Sequence, residues 1–155
     1  MSYEQEFMVV DVVLLSDAPT RGVDAFTLAV VKMERQIRKL FTHLVFQSDT
    51  FNEVSVEALR ASLGAEKHFY FEGIERGVNA LFRLTVADLI GNEFGSLLES
   101  VDYAIQYRNK ILHRQLTDRC LRREDLIKVV DGVRRWCKAL AMGAERENRL
   151  RRLRT

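Results

Sequence analysis

The sequence predicts an all-α protein, a helical bundle built from four main helices and one short helix. Only one Pro and 8 Gly occur in 155 residues, so few residues interrupt helices, whereas an all-β chain needs many turn residues. Four long segments also carry apolar residues at steps of three and four, which places those residues on one face of a helix. The length favours a single domain over residues 1–155, large enough to bury its own core.

The N-terminal segment, residues 1–23, is the part whose structure the sequence leaves open. The run from Phe7 to Leu15 is rich in β-branched residues, which favours a strand. A short buried helix fits the same run, because periodicity does not separate the two for so short an apolar stretch. Pro19 is expected to end either element.

The first half of the predicted bundle holds two main helices and the short one. Asp24 is a suitable N-cap for the first main helix, which extends to about Phe46. The short helix is predicted over residues 55–63 and the second main helix over about residues 65–84. The apolar stripe of the first main helix is Phe26, Val30, Met33, Ile37, Leu40 and Leu44.

Two short motifs mark the middle of the chain. Gly73 and Gly77 lie four residues apart in the second main helix, and their missing side chains would let another helix approach closely. Thr85 and Asp88 have the spacing of a capping box, in which each side chain accepts a hydrogen bond from the backbone of the other residue. The pair therefore predicts a helix start after Thr85.

Two further main helices complete the predicted bundle. The third begins near Asn92 and ends at His113 or Gln115, and the fourth runs from Arg122 to Arg152. Its end, residues 145–155, is a basic helical tail, either a solvated helix end or an arm that contacts RNA or a partner. The two apolar stripes are Phe94, Leu97, Leu98, Val101, Ala104 and Ile105, then Leu126, Val129, Val130, Val133, Trp136 and Leu140.

The cysteines and the N-terminus indicate a reducing compartment. Cys120 and Cys137 are too few for a disulfide framework and form no CxxC motif, so we expect reduced thiols and no metal bound through them. The N-terminus is acidic, Asp11 interrupts its apolar run, and no stretch is long enough to span a bilayer. We therefore expect a cytosolic protein that does not bind membranes.

Charge is divided unevenly along the chain. Residues 1–107 hold 9 Lys/Arg and 16 Asp/Glu, a formal charge of −7. Residues 108–155 hold 15 Lys/Arg and 6 Asp/Glu, a formal charge of +9. A basic C-terminal third on an acidic body is typical either of a surface that faces a polyanion or of a solvated basic helix.

One segment concentrates side chains that could perform chemistry. From Tyr107 to Arg114, six hydrogen-bonding or ionisable side chains surround the apolar pair Ile111-Leu112, at the end of one predicted main helix and before the next. Within it, Arg108 is followed directly by Asn109 and, after four intervening residues, by His113.

This pattern resembles the motif of HEPN (higher eukaryotes and prokaryotes nucleotide-binding) domains. Those domains carry an Arg, four to six residues and a His, often with a polar residue directly after the Arg, as Asn109 is here. They are all-α bundles with the motif late in the chain and one helix after it, which matches the outline of residues 24–140. Arg114 and Gln115, which follow His113, differ from the small or conserved polar residue found there in many members.

The residue types suit cleavage of RNA by its own 2′-hydroxyl. That reaction needs a base for the 2′-OH, an acid for the leaving 5′-oxygen and positive charge beside the phosphorus. His113 has a side chain able to take either proton role near neutral pH. Arg108 provides a permanent charge with a forked geometry for phosphate oxygens, and Asn109 could orient His113 or hold a phosphate oxygen.

The resemblance also implies partners. One His does not serve easily as both base and acid, and a two-fold homodimer would bring two motifs to one cleft, as in HEPN ribonucleases. Lys110, Arg114 and Arg119 would hold RNA phosphates, and Tyr107 could stack on a base. No metal or other cofactor is implied. The expected function is a toxin- or defence-like endoribonuclease restrained by an antitoxin or another regulatory protein.

Two alternatives stay open, one a non-catalytic HEPN-like module that binds nucleic acid or a protein, the other a purely structural adaptor. A second Arg-x4-His spacing, Arg38 to His43, lies on the first main helix, where the HEPN pattern does not place the motif, and Lys39 follows its Arg. His43 and His68 are therefore interpreted as structural or exposed. The default for Trp136 and for the aromatic run at residues 69–71 is the core.

Overall fold

The computed structural model describes residues 3–46, 71–112 and 123–152. These ranges are all-α and contain no strand. They form six helices, which confirms the predicted fold class. The helices are α1 (Tyr3–Leu15), α2 (Arg21–Phe46), α3 (Phe71–Leu81), α4 (Val86–Ile90), α5 (Phe94–Leu112) and α6 (Arg123–Arg152).

The N-terminal segment forms a helix rather than a strand. Helix α1 buries Phe7 and Val10, three residues apart, so the apolar run supplies one core-facing edge at helical spacing. Its other apolar residues face outward or lie half-buried, which explains why the run shows no clear period in the sequence. The helix ends at Leu15, four residues before Pro19.

Helix α2 begins three residues earlier than its predicted N-cap. Asp24 lies inside the first turn, where its carboxylate accepts a hydrogen bond of 2.7 Å from the Thr20 hydroxyl. The Asp24 N–H donates to the Thr20 carbonyl, so the first turn is already closed there. The predicted stripe is buried except Leu40, which is half-buried, and Phe41 is buried as well.

The predicted capping box before α4 is confirmed. The Thr85 hydroxyl accepts from the Asp88 N–H at 3.1 Å, and the Asp88 carboxylate accepts from the Thr85 N–H at 2.8 Å. The Asn79 side-chain oxygen accepts from the Val86 N–H, so a second N–H of this helix start is also satisfied. The short helix predicted over residues 55–63 and the first part of the helix predicted over 65–84 lie outside the described residues.

The last two helices follow the prediction closely. Helix α5 begins at Phe94, two residues after Asn92, and α6 begins at Arg123 and reaches Arg152. Trp136 is fully buried and the ring of Phe94 lies against it, with 5.6 Å between ring centroids. Cys137 is a free, buried thiol, and Cys120 lies outside the described residues.

The chain forms two compact units, each with its own buried apolar residues. The first unit comprises Met1–Met33 and Asn92–Ala139, and the second Glu34–Gly91 and Leu140–Thr155. Helices α2 and α6 each contribute one part to each unit. The first core includes Phe7, Phe26, Val30, Val101, Val133 and Trp136, and the second Ile37, Leu44, Ile74, Val78, Leu89 and Leu140.

Both units contain a glycine at a close helix contact. A Cβ on Gly77 of α3 would lie 2.9 Å from the Phe41 ring, so the predicted close approach occurs at this glycine. A Cβ on Gly132 of α6 would lie 2.5 Å from the Ser100 hydroxyl oxygen. No helix in the described part of the chain is long and apolar enough to cross a membrane.

Candidate functional site

Arg108 lies on the core-facing stripe of α5. Leu97, Val101 and Ala104 are buried at steps of four and three, and Arg108 is the next residue on that face. Its side chain is half-buried, and its Nε atom is shielded from solvent. A long cationic side chain in such a position covers apolar surface with its methylene groups while its charged end stays near the surface.

A charge at this position departs from the pattern of the helix. An apolar residue at position 108 would continue the stripe and bury more apolar surface at no electrostatic cost. Departures of this kind from an otherwise regular core pattern are expected at functional or strained sites. Of the residues on the core-facing stripe of α5, Arg108 is therefore the one that core packing explains least well.

Two further predicted site residues follow Arg108 in the final turns of α5. Asn109 is half-buried and Lys110 is exposed. The backbone carbonyls at a helix C-terminus carry partial negative charge, which stabilises nearby cations such as Lys110. The same dipole does not attract a phosphate, so the attraction for an anion must come from the Arg108 and Lys110 side chains.

Tyr107 is held by two aromatic contacts inside the first unit. Its ring stacks on Tyr103, one turn earlier, with 6.0 Å between centroids and an angle of 8° between planes. The buried Phe26 of α2 meets it edge-on at 5.7 Å. These contacts attach the last turns of α5 to α2, a role that the sequence prediction of a base-stacking Tyr107 did not include.

Helix α5 is also fixed against α6 at its first half. The missing side chain of Gly132 lets α6 approach Ser100 closely, and Phe94 packs on Trp136. At the N-terminal end, the exposed carboxylate of Glu93 pairs with Arg135. These contacts set the position of α5, and with it the backbone positions of Arg108 and Asn109.

The rest of the predicted site lies outside the described residues. His113 follows Leu112, the last residue of α5, in the sequence, and Arg114 and Arg119 come after it. The structure brings Tyr107, Arg108, Asn109 and Lys110 together on one helix end. The roles predicted for these residues stay predictions.

A second group of polar residues lies in the other unit and was not predicted. Glu147 is 5% exposed and forms an ion pair with Arg83, whose side chain is 42% exposed. The next residue, Asn148, has its Nδ2 atom 3.3 Å from Nε2 of His43, which is exposed at the end of α2. The predicted stripe of α6 could have pointed to Glu147, because this residue lies seven residues, about two helical turns, after Leu140.

The buried thiol and the metal-binding side chains offer no alternative site in the described ranges. Burial raises the pKa of the Cys137 thiol far above its ordinary value, and the charge of Glu6 raises it further. The thiol is therefore protonated and unreactive at neutral pH. Across residues 3–46, 71–112 and 123–152, no group of three His, Cys, Asp or Glu side chains is placed to hold a metal ion.

Comparison of the chain with protein-family models, with curated proteins and with solved structures gives no match.

Proposed function

We propose that this protein is a metal-independent endoribonuclease in which Arg108, Asn109 and His113 act on one phosphodiester. The observation that carries the proposal is the placement of Arg108, a cation on the core-facing stripe of α5 that remains half-exposed beside Asn109. A half-buried guanidinium has fewer orientations and less screening by water than an exposed one, and both properties favour phosphate binding. The resemblance of the Arg-Asn-x3-His motif to HEPN ribonucleases supplies the role of His113.

The reaction is attack of the ribose 2′-oxygen on the adjacent phosphorus. The 2′-OH loses its proton to a base, the P–O5′ bond breaks, and the 5′-oxygen receives a proton from an acid. The products are a 2′,3′-cyclic phosphate and a free 5′-hydroxyl. His113 serves in proton transfer, and Arg108 stabilises the negative charge that develops on the phosphorus oxygens.

The remaining site residues bind and orient the RNA. Asn109 holds His113 or a phosphate oxygen, while Lys110, Arg114 and Arg119 neutralise neighbouring phosphates. A homodimer places two copies of His113 at one cleft, so that one acts as base and the other as acid. In a cell, such an activity requires restraint by an antitoxin or another regulatory protein.

Stacking of a base on Tyr107 is limited by the ring contacts that hold it. One face of the ring lies on Tyr103, and the Phe26 ring contacts it at a steep angle. Both contacts reduce the ring surface on which a base could stack. Substitution of Tyr107 by Phe retains both contacts and the stacking surface, so it is the suitable variant for testing the hydroxyl alone.

The test is cleavage of a labelled RNA of mixed sequence in the presence of EDTA. Wild type is compared with His113→Ala and Arg108→Ala, and with His43→Ala as a control that removes an exposed His outside the proposed site. We expect each site variant to lower the cleavage rate at least about 100-fold, since proton transfer and charge stabilisation each contribute that much or more. The His43→Ala variant should cleave at the wild-type rate.

The products and the variants together decide between the hypotheses. Ends that carry a 2′,3′-cyclic phosphate, formed by wild type and by His43→Ala but not by His113→Ala, would support the proposal. Equal cleavage by wild type and His113→Ala would place the activity elsewhere. RNA binding without cleavage by wild type would replace the enzyme with the non-catalytic HEPN-like module.

A further inference from the structure

Helix α1 carries an exposed apolar stripe on the side opposite its core contacts. Met8, Val12 and Leu15 are 56%, 62% and 84% exposed, and Gln5 is exposed on the same face. These four residues, which we call the α1 stripe, follow one another at steps of three, four and three. That spacing is the one that lines up side chains along the seam between two packed helices.

We propose that the α1 stripe packs against the same stripe of a second copy of this chain, with the two helices antiparallel, and closes a two-fold dimer. An antiparallel pair with its axis near Val12 places Val12 of one copy beside Val12 of the other. Met8 of each copy then faces Leu15 of the other. Because these positions exchange with one another under a two-fold rotation, the stripe is complementary to itself.

The charges around the stripe permit this self-association. None of the four stripe residues is charged, so two copies meet without like charges in the seam. Asp11 lies at the border of the stripe, and its carboxylate forms an ion pair of 2.5 Å with Arg134 of α6. Because this ion pair offsets the charge of Asp11, it lowers the repulsion that two facing Asp11 residues would otherwise produce in the dimer.

The area also suits a dimer. The exposed parts of Met8, Val12 and Leu15, together with the adjacent Val9, amount to roughly 400 Å², the size of the largest apolar patches on soluble monomers, which are often functional. Two copies would remove about 800 Å² of apolar surface from water. A standard interface buries about 1,600 Å² in total and is a little over half apolar, so the stripe supplies the apolar part of one such interface.

This interface is argued from α1 alone and does not depend on the ribonuclease chemistry. The proposed function requires two copies of His113 in one cleft, whereas the α1 pairing holds whether or not the protein cleaves RNA. Oligomeric state therefore tests the pairing directly. Cleavage assays test the proposed function. A dimer that persists in Val12→Glu would overturn the α1 pairing alone, loss of cleavage in a dimeric protein would affect the proposed function alone, and a monomeric wild type would count against both.

The first experiment measures mass in solution by light scattering and sedimentation equilibrium for wild type, Val12→Glu and Met142→Glu. Met142 is 60% exposed on α6, close to the 62% of Val12, and so provides a matched control outside the stripe. We expect a wild-type dimer, a Met142→Glu dimer and a dimer dissociation constant raised at least about 100-fold by Val12→Glu, because the two-fold places two carboxylates together at the seam. Circular dichroism of Val12→Glu should match wild type, since position 12 is exposed in the single chain.

A second experiment uses cross-linking to locate the two-fold axis of the dimer. In a chain with Cys120→Ser, Val12→Cys should be joined to its copy by a short bis-maleimide, while Val23→Cys, which is 40% exposed on α2, should not. Cys137 is buried and protonated and so contributes no background.

A monomeric wild type would overturn the proposal, and a monomer that floats with lipid vesicles would assign the stripe to a membrane surface. A Val12→Glu variant that stays as dimeric as wild type would place the dimer contact elsewhere and overturn the α1 pairing.

Discussion

Both compact units carry a charged residue on a core-facing stripe, but the two charges differ in burial and surroundings. In the second unit, the stripe of α6 includes Glu147, which is nearly fully buried and forms an ion pair with Arg83 in the connection between α3 and α4. In the first unit, the stripe of α5 includes Arg108, which is half-exposed in the last turns of the helix next to Asn109. The ion pair of Glu147 fastens that connection to α6, whereas Arg108 remains partly in solvent.

The two units also differ in how many large apolar side chains they expose. Seven of the eight large apolar side chains that are exposed in the described residues belong to the first unit, and four of them lie on α1. The described residues of the second unit include one, Met142. Among the described residues, exposed apolar side chains are therefore concentrated in the first unit, and a surface of this kind is expected to bind a partner.

The largest expected effect concerns the rigidity of the second unit. A Cβ on Gly143 of α6 would overlap the backbone carbonyl of Leu89, and a backbone atom cannot rotate away as a side chain can. We expect Gly143→Ala to lower the free energy of unfolding by about 3 kcal/mol or more, even after the helix propensity gained by Ala. Urea denaturation followed by circular dichroism measures the change.

The matched control for Gly143→Ala is a helical glycine with free space. A Cβ on Gly95 in α5 would meet no atom within 4 Å, so Gly95→Ala should be neutral or stabilise the protein by up to about 1 kcal/mol. Equal effects of the two substitutions would show that α6 and the Leu89 carbonyl do not approach as closely as described. The second unit would then lack its tightest contact.

The sequence allowed the helices to be predicted better than the contacts between them. The capping box at Thr85 and Asp88 and the start of α6 depend on neighbouring residues, and both could be predicted to within one residue. The start of α2 was predicted three residues late because Thr20 and Asp24 are both good capping residues, and only the folded chain shows which of them closes the turn. The sequence did not decide whether α1 would be a helix or a strand, because apolar residues lie on nearly all faces of this helix.

In the candidate site, too, local structure could be predicted from the sequence and long-range contacts could not. Local spacing was sufficient to place Arg108 and Asn109 together near the end of one helix. The pairing of Glu147 with Arg83 joins residues far apart in the sequence, and nothing local in either segment encodes it. The same holds for the contacts of Tyr107 with Phe26, which depend on the packing of α5 against α2.

The two charged sites, the ion pair of Glu147 with Arg83 and the position of Arg108, can be compared by the same change from Arg to Met. Arg83→Met leaves the buried carboxylate of Glu147 without its cation, and we expect a loss of about 2 kcal/mol of stability, a value discounted for the partial exposure of Arg83. Arg108→Met extends the apolar stripe of α5 and should change stability by less than about 1 kcal/mol. Thermal and urea unfolding of both variants provide the measurement.

The RNA cleavage activity of these two variants separates a functional role of Arg108 from a structural one. Arg108→Met should abolish RNA cleavage although the protein is as stable as wild type, and Arg83→Met should cleave normally below its own unfolding transition. A stability loss near 3 kcal/mol for Arg108→Met would identify Arg108 as a structural residue like Glu147. The observation that carries the proposed function would then be removed.

The smallest expected effect is the pH dependence of the capping box. The hydrogen bond from the Thr85 hydroxyl, followed by that from its backbone N–H, holds the pKa of the Asp88 carboxyl below its ordinary value. A carboxyl whose pKa is lower in the folded than in the unfolded state stabilises the fold above its unfolded pKa, and this contribution is lost as the pH falls through the folded pKa. Wild type should therefore be more stable than Asp88→Asn at pH 7. The difference should begin to shrink below about pH 4, where the unfolded aspartate becomes protonated, and should disappear once the pH is below the folded pKa.

Substitution of Thr85 provides the control for that pH profile. Thr85→Val removes the hydroxyl that accepts from the Asp88 N–H, at a cost of about 1 kcal/mol at neutral pH. The Thr85 hydroxyl is also the strongest cause of the lowered Asp88 pKa, so in the Thr85→Val background the further change Asp88→Asn should have a smaller effect on stability at pH 7. A stability difference between wild type and Asp88→Asn that is the same at pH 7 and at acidic pH would mean that the Asp88 charge contributes nothing to the cap. The second unit would then be held by its close backbone contact and its ion pair without electrostatic help from α4.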